Sequence, residues 1–244
     1  MWQPFDAYEI RARLVPAVIV LLPALIILAA VAGTDFLSTV SAVFSGVLAL
    51  AVLYVLGQIV GVLGQRVQDT LFAKWDGAPA VRFMRWRDGR FSKEQKEAAS
   101  QAVRQALSQT LSTREEELED PEQADRRIDA AFTGVRSYLH ANNVPGLWHV
   151  QVAEYDMARN LYGSVWMACV IGLVAAGVGF IAWWQVRSIA VLCATIAAVV
   201  WALLMLLARY CVLPALAKEC SERYAESAWM SFLRAASPSP LGTA

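Results

Sequence analysis

Charged side chains, histidine and cysteine are scarce in this sequence, and neither sign of charge is in excess. Charged residues make up 17% of the 244 residues, whereas soluble domains carry about 25%. The 21 basic residues balance 21 acidic residues, so no bulk charge attracts the chain to nucleic acid. Four cysteines and long apolar runs exclude a disulfide-rich scaffold and a disordered chain. The remaining composition, 57% hydrophobic with a mean hydropathy of +0.44, is typical of a membrane protein.

Groups that carry catalysis are also few. His140 and His149 are the two histidines, and no cluster of His, Cys and carboxylates has the spacing of a metal site. The sequence contains no phosphate-binding glycine loop and no nucleophile-elbow serine. We therefore expect no enzyme, no cofactor and no metal, and we keep a lipid-processing enzyme as an alternative.

Four apolar stretches are long enough to cross a hydrocarbon core of about 30 Å, which takes roughly 20 helical residues. Their interiors lack the ionisable residues that pumps and ion-coupled carriers keep inside the membrane. The connections within each pair, six and four residues long, predict two antiparallel transmembrane hairpins. The stretches cover residues 14–32, 39–63, 161–184 and 189–209.

Basic residues lie almost entirely on one side of these stretches. Arg187 is in a hairpin tip, whereas the other 20 basic residues lie outside both tips. Because an excess of Lys and Arg marks the cytoplasmic side, we expect both termini in the cytoplasm of a bacterium and the spans in its inner membrane. The predicted parts are a cytoplasmic N-terminal segment (1–13), hairpin 1 (14–63), a cytoplasmic helical domain (64–160), hairpin 2 (161–209) and a cytoplasmic tail (210–244).

The central segment has helix signals of its own. Ser92 and Gln95 form a capping box that predicts a helix to about Leu111. Asp120, followed by Pro121, predicts a second helix to about residue 140. Residues 81–91 fit either a short strand or an extended arm. The predicted fold class is an all-α integral membrane protein, with four transmembrane helices and a mostly helical cytoplasmic insert.

Basic and aromatic residues alternate in residues 82–91, which we call the basic-aromatic segment. Guanidinium groups beside aromatic rings suit a phosphate-bearing ligand such as a nucleotide. A basic segment next to a membrane also binds anionic lipid headgroups, and this lipid or structural role is favoured. The candidate ligand- or lipid-binding residues are Arg82, Arg85, Trp86, Arg87 and Arg90.

Small residues recur at intervals of four in two of the apolar stretches. Such spacing lets helix backbones approach closely. Packing inside one monomer is the favoured reading, and a face for self-association is the other. The residues are Gly57 and Gly61 in the second stretch, and Ala168, Gly172 and Ala176 in the third.

Polar residues also mark the ends of the first and third stretches. Arg11, Arg13, Arg159, Asn160 and Tyr162 form a predicted collar that couples the soluble domain to the hairpins. Ordinary anchoring at the membrane interface explains the same residues equally well.

Three short strings resemble those of a group of mostly uncharacterised bacterial four-span inner-membrane proteins, some of them found in phage-defence loci. They are Tyr-Glu-Ile-Arg-Ala-Arg at 8–13, Phe-Met-Arg-Trp-Arg-Asp at 83–88, and a string at 155–163 that ends in Arg-Asn-Leu-Tyr-Gly. The resemblance implies an effector that perturbs the membrane after receiving a signal. It assigns no ligand-binding residue.

The predicted function is a non-enzymatic inner-membrane effector or pore-forming assembly that is controlled through its cytoplasmic domain. A structural or partner-recruiting subunit without a pore is the alternative. The expected partners are membrane lipids, further copies of the chain, and a cytoplasmic protein or nucleotide that acts as the signal.

Overall fold

The computed structural model describes residues 7–39 and 42–236, which form helices joined by short connections. No strand occurs in these two ranges, so the all-α class is confirmed for the described part of the chain. Residues 1–6 of the predicted N-terminal segment and 237–244 of the predicted tail lie outside it. The helices are α1 (Ala7–Glu9), a π-helix (Ile10–Leu14), α2 (Val15–Thr39), α3 (Ala42–Lys74), α4 (Pro79–Arg82), α5 (Lys93–Leu107), α6 (Arg114–Glu119), α7 (Pro121–Ala141), α8 (Trp148–Val186), α9 (Ile189–Cys211) and α10 (Leu213–Ala236).

The chain divides into two compact units. Unit 1 comprises Met1–Asp69 and Ala153–Ala217, and unit 2 comprises Thr70–Val152 and Lys218–Ala244. From the sequence, residues 210–244 are predicted to form a tail separate from the central domain. The structure instead places the part of α10 from Lys218 onward in unit 2.

Four helical segments are long and apolar enough to cross a membrane, and each overlaps one of the predicted stretches. Many of their large apolar side chains are exposed; Leu28 is 51% exposed and Leu173 is 59% exposed. Apolar surface on this scale is unusual for a soluble monomer and marks a membrane or protein interface. The segments are Ile10–Val31, Leu48–Arg82, Trp148–Val186 and Ile189–Cys211.

Small residues bring the apolar helices of unit 1 together. Ile27 of α2 packs among Ala175 and Ala176 of α8 and Ala194 and Ala198 of α9. Alanine at these positions allows the close helix contact on which packing in lipid depends.

Aromatic residues of α10 form the centre of the core of unit 2. Trp229 and Phe232 are fully buried. The rings of Trp229 and Phe132 lie 5.5 Å apart, and the Trp229 indole donates to the Ala80 carbonyl at 3.0 Å. A fully buried indole with its N–H satisfied contributes strongly to a core. The final helix from Lys218 onward is therefore an integral part of this unit.

The predicted helix starts of the insert are confirmed, but the basic-aromatic segment differs from its prediction. Ser92 and Gln95 form the capping box of α5, and Asp120 caps α7. α5 ends earlier than predicted, because Ser108 adopts a left-handed conformation with φ 53°. Residues 81–91 form neither a strand nor an extended arm; they comprise the end of α4 followed by turns.

Candidate functional site

A polar cluster in unit 1 joins the N-terminal segment, which we define as residues 7–14, to α3 and α8. Within the N-terminal segment, Ile10–Leu14 form a π-helix. This helix type is rare, and where it occurs it is often at a functional site. Arg13, Gln58 and Asn160 come from three different segments of the chain. The full cluster consists of Tyr8, Glu9, Arg13, Gln58, Gln68, Asp156, Arg159 and Asn160.

Hydrogen bonds hold the N-terminal segment on α8. The Tyr8 hydroxyl donates to the carboxylate of Asp156. Burial raises the pKa of the Tyr8 hydroxyl, and the nearby carboxylate raises it further, so the phenol stays protonated as a donor. Asn160 is 2% exposed, and its side-chain amide donates to the Ala12 carbonyl at 2.7 Å. The N-terminal segment is thus fixed by both a side chain and its own backbone.

Arg13 connects the same segment to α3. Its guanidinium lies 3.2 Å from Glu9 and donates to Gln58 at 3.1 Å. A Cβ atom built on Gly57 would lie 3.5 Å from the Arg13 Cβ, and one built on Gly61 would lie 3.5 Å from the Arg13 Nε. Arg13 therefore covers the small-residue face of α3 within one monomer.

A close crossing of α3 and α8 underlies the cluster. A Cβ atom on Gly163 would lie 2.5 Å from the Leu63 carbonyl oxygen, and one on Gly64 would overlap the side chain of Asn160. Only glycine lets these two backbones approach so closely. The glycines were not predicted as site residues, although Gly163 ends the Arg-Asn-Leu-Tyr-Gly string.

Arg159 links the two sides of the crossing. It pairs with Asp156 at 2.9 Å and donates to Gln68 at 2.5 Å, while its guanidinium carbon lies 5.4 Å from the Tyr155 ring centre. Among the described residues, neither the Arg159 Nε nor the Asn160 Oδ1 has a hydrogen-bond partner, although both are buried. Leaving such atoms unpaired costs about 1–3 kcal/mol each. A stable core alone does not require this arrangement.

The predicted collar is brought together only in part. Arg13, Arg159 and Asn160 meet in the polar cluster, whereas Arg11 is exposed. Tyr162 is buried and contacts Arg209, whose guanidinium carbon lies 4.4 Å from the tyrosine ring centre. Gln58, inside the second stretch, is predicted either to bond a neighbouring helix or to line a polar path in an oligomer, and it accepts a hydrogen bond from Arg13 of the π-helix. Tyr8 and Gln68 have no predicted site role, because isolated polar residues beside an apolar stretch carry no periodic signal.

The second small-residue face also packs within the monomer. A Cβ atom on Gly172 would lie 3.2 Å from the Ala202 Cβ, and the Cys169 thiol donates to the Ala202 carbonyl at 3.5 Å. Ala168 is fully buried, and Ala176 is 7% exposed. These contacts supply an internal role for the face, and its part in self-association stays a prediction.

The predicted binding arginines of unit 2 are engaged in internal ion pairs. Arg82 pairs with Glu222 at 2.5 Å, and Arg90 pairs with Glu226 at 2.5 Å. Arg85 is buried and donates to both carboxylate oxygens of Asp125 at 2.8 and 2.7 Å. Such bidentate pairs are among the strongest that arginine makes.

The rest of the basic-aromatic segment is folded by contacts from other elements. The Lys96 ammonium donates to the Arg85 carbonyl at 2.6 Å and also to the Asp88 carbonyl. The Trp86 indole donates to the Ser112 carbonyl at 3.0 Å. Arg87 has a side chain that is 64% exposed and lies 3.6 Å from Asp76. Binding of an anion by this segment remains a prediction, for which Arg87 is the most accessible of the four candidate arginines.

A polar cleft of about 330 Å³ opens beside these arginines and is lined by Asp76, Arg82, Arg85, Arg87 and Asp88. Two of its three cations, Arg82 and Arg85, already donate to backbone carbonyls as well as to carboxylates. The cleft therefore offers few unused donors to a ligand.

Comparisons with family models, with curated proteins and with solved structures give no match to this chain. Within residues 7–39 and 42–236, no group of three or more His, Cys, Asp or Glu side chains is arranged to hold a metal ion.

Proposed function

We propose that the chain is a four-span inner-membrane protein of bacteria, with two hairpins and with both termini and unit 2 in the cytoplasm. The length of α9 supports this placement: 21 residues separate Arg187 from Arg209. At 1.5 Å per residue they extend about 32 Å, close to a hydrocarbon core of about 30 Å. Arg187 also lies 4.3 Å from the ring centre of Trp184, as is typical of a membrane interface.

Within this topology, the proposed function is that of a non-enzymatic membrane effector held at rest by its N-terminal segment. The observation that carries the proposal is the position of Arg13 over Gly57 and Gly61. In the resting state the segment covers the glycine face of α3. When the segment leaves, the face becomes available to a second copy of the chain, and the assembled copies permeabilise the membrane. The phage-defence role implied by the resemblance belongs to this proposal.

The bounds of two helices support the proposal that unit 2 controls the effector. α3 and α8 each contribute residues to both units, and the cluster residues Gln68 and Asp156 lie within four residues of the unit boundaries. A protein or nucleotide signal bound by unit 2 would thus reach the cluster along continuous helices. The contacts of Arg13 are together worth about 1–2 kcal/mol, so their loss shifts a two-state equilibrium about 5–30-fold.

The decisive experiment locks the segment with a disulfide. The Cβ of Arg13 lies 3.5 Å from the position of a Cβ on Gly57, within the range of about 3.5–4.5 Å found in disulfides. We would combine Arg13→Cys with Gly57→Cys in a chain whose four native cysteines are replaced, and measure ion flux in proteoliposomes. The reduced double variant should conduct ions and the oxidised double variant should not. The ion flux through each single variant should be the same in both redox states.

A second arm tests release in cells without the unknown signal. Arg13→Ala should depolarise the membrane. It should also raise disulfide crosslinking between two copies of the chain that carry Tyr54→Cys, because Tyr54 lies one turn before Gly57 on α3. Arg11→Ala is the matched control, because Arg11 is exposed in the same π-helix. If Arg13→Ala leaves the potential intact and redox state does not change the flux, the effector proposal fails.

A partner-recruiting subunit is the second candidate, favoured by one feature of unit 2. Leu118 is 77% exposed on the acidic helix α6, and an exposed leucine among carboxylates suits a partner with an apolar pocket and a basic rim. Under this function Leu118→Ser abolishes capture of the partner, and no variant of Arg13 produces ion flux.

A further inference from the structure

Arg209 lies close to the end of α9 and is held by aromatic residues of α8. Its guanidinium donates to the Tyr162 carbonyl at 2.7 Å. The guanidinium carbon lies 4.4 Å from the centre of the Tyr162 ring and 5.5 Å from that of Trp166. These three contacts fix the plane of the guanidinium, but none of them supplies a negative charge.

The charge of Arg209 is not compensated by the described part of the chain. No described carboxylate lies within 4.0 Å of it, in contrast to Arg13 beside Glu9 and Arg159 beside Asp156. A guanidinium has five N–H donors, and the carbonyl of Tyr162 uses one nitrogen. An arginine near a helix end places its charge at the membrane interface, where the remaining N–H donors of Arg209 face the anionic groups of lipids.

An exposed apolar row leads away from Arg209 along α8. Residues at intervals of four share one helix face, and on this face Trp166, Val170 and Val174 are 53%, 60% and 62% exposed. From Tyr162 to Val174 the helix rises about 18 Å, slightly more than half of a hydrocarbon core of about 30 Å. The row therefore matches the depth of one leaflet.

We propose that Arg209, framed by Tyr162 and Trp166, binds the phosphate of a phospholipid headgroup while an acyl chain lies along this row. Arginine suits the role, because its planar fork donates to two phosphate oxygens at once. The proposal rests on the membrane placement given above. The lipid belongs to the leaflet on the side of the chain termini.

The test is native mass spectrometry of the full chain released from nanodiscs of phosphatidylglycerol and phosphatidylethanolamine. A basic residue near an anionic lipid surface is worth about 1 kcal/mol, so Arg209→Gln should lower lipid retention about fivefold. Arg209→Lys should fall between wild type and Arg209→Gln. Arg11→Gln is the matched control, because it removes the same charge on the same side of the membrane without an aromatic frame.

The outcomes separate this proposal from the membrane placement. Equal retention by Arg209→Gln and Arg11→Gln overturns the lipid site. Calorimetry with inorganic phosphate on delipidated protein tests whether the bound phosphate group comes from solution instead of a lipid. Phosphate binding that Arg209→Gln abolishes would assign the site to free phosphate and overturn the proposed lipid site. If wild type is extracted from membranes by alkaline carbonate, the membrane placement itself fails. If it stays in the membrane pellet while Arg209→Gln retains its lipid, only the lipid site fails.

Discussion

The crossing of α3 and α8 can be tested by adding a single methyl group to Gly163. A Cβ atom there would lie 2.5 Å from the Leu63 carbonyl oxygen and 2.7 Å from the Gly64 amide nitrogen, whereas ordinary contact begins at 3.4 Å. The backbones must therefore separate by about 0.9 Å, the difference between 3.4 and 2.5 Å. Overpacking costs about 1–3 kcal/mol. Because backbone atoms cannot rotate away, we expect the upper half of that range.

Helix propensity acts in the opposite direction and sets the size of the net effect. Alanine is favoured over glycine inside a helix by about 0.5–1 kcal/mol. Gly163→Ala should therefore lower the free energy of unfolding by about 1–2.5 kcal/mol. The measurement is circular dichroism of the purified full chain during titration with a denaturing detergent.

Gly177 supplies the matched control on the same helix. A Cβ atom at Gly177 would have no other atom within 4 Å, so Gly177→Ala should leave stability unchanged or raise it by up to about 1 kcal/mol. The two alanine variants should thus differ by about 2 kcal/mol or more. If Gly163→Ala and Gly177→Ala have the same free energy of unfolding, α3 and α8 do not approach closely, and the polar cluster does not rest on a close crossing of these helices.

Three further predictions concern unit 2 and are measured on the full chain. Arg85→Gln should lower the free energy of unfolding by about 2–3 kcal/mol, because it removes a buried bidentate ion pair. The control Arg126→Gln, at an exposed pair, should change it by less than about 0.5 kcal/mol. If urea titration gives both variants the same loss of unfolding free energy, the internal role of Arg85 is contradicted. The Thr113 backbone N–H holds the pKa of the Glu116 carboxyl below its ordinary value of 4.5. This hydrogen bond stabilises α6 above pH 4.5 and is lost as the pH falls through the lowered pKa, so an NMR titration midpoint at or above 4.5 would refute it. Trp229→Phe should cost about 2–3 kcal/mol, because it leaves a void and an unpaired carbonyl; a loss below about 1 kcal/mol in the same urea titration would place the indole outside the core.

The basic-aromatic segment illustrates what sequence reasoning could not reach. Four arginines among aromatic residues read as an anion-binding surface, since each guanidinium is assumed to face solvent. Asp76 and Asp88 are carboxylate partners close in sequence, but the other three, Asp125, Glu222 and Glu226, lie between 40 and 140 residues away along the chain. No local pattern identifies partners at that separation. The three-dimensional fold alone determines that Arg82, Arg85 and Arg90 are satisfied internally.

The final helix was missed for a related reason. Tyr224, Ala228 and Phe232 recur at intervals of four, and Trp229 follows the same face, which is the pattern of a buried helix surface. The pattern was present, but it gave no indication of which other helices it would bury. That assignment needs the contacts of Phe132 and Ala80, which belong to distant segments.

The sequence by itself determined the helical class, the four long apolar helices and the capped starts of α5 and α7. These features depend on composition, periodicity and neighbouring residues, all of which act over a few turns of chain. The tertiary structure alone decided that Arg13 covers Gly57 and Gly61, that Asn160 reaches the Ala12 carbonyl, and that Arg209 lies against Tyr162 with no carboxylate of the described residues paired to it. Hydrogen bonds and close packing act over a few ångströms between atoms that the sequence places far apart, so only the folded chain determines which of them meet.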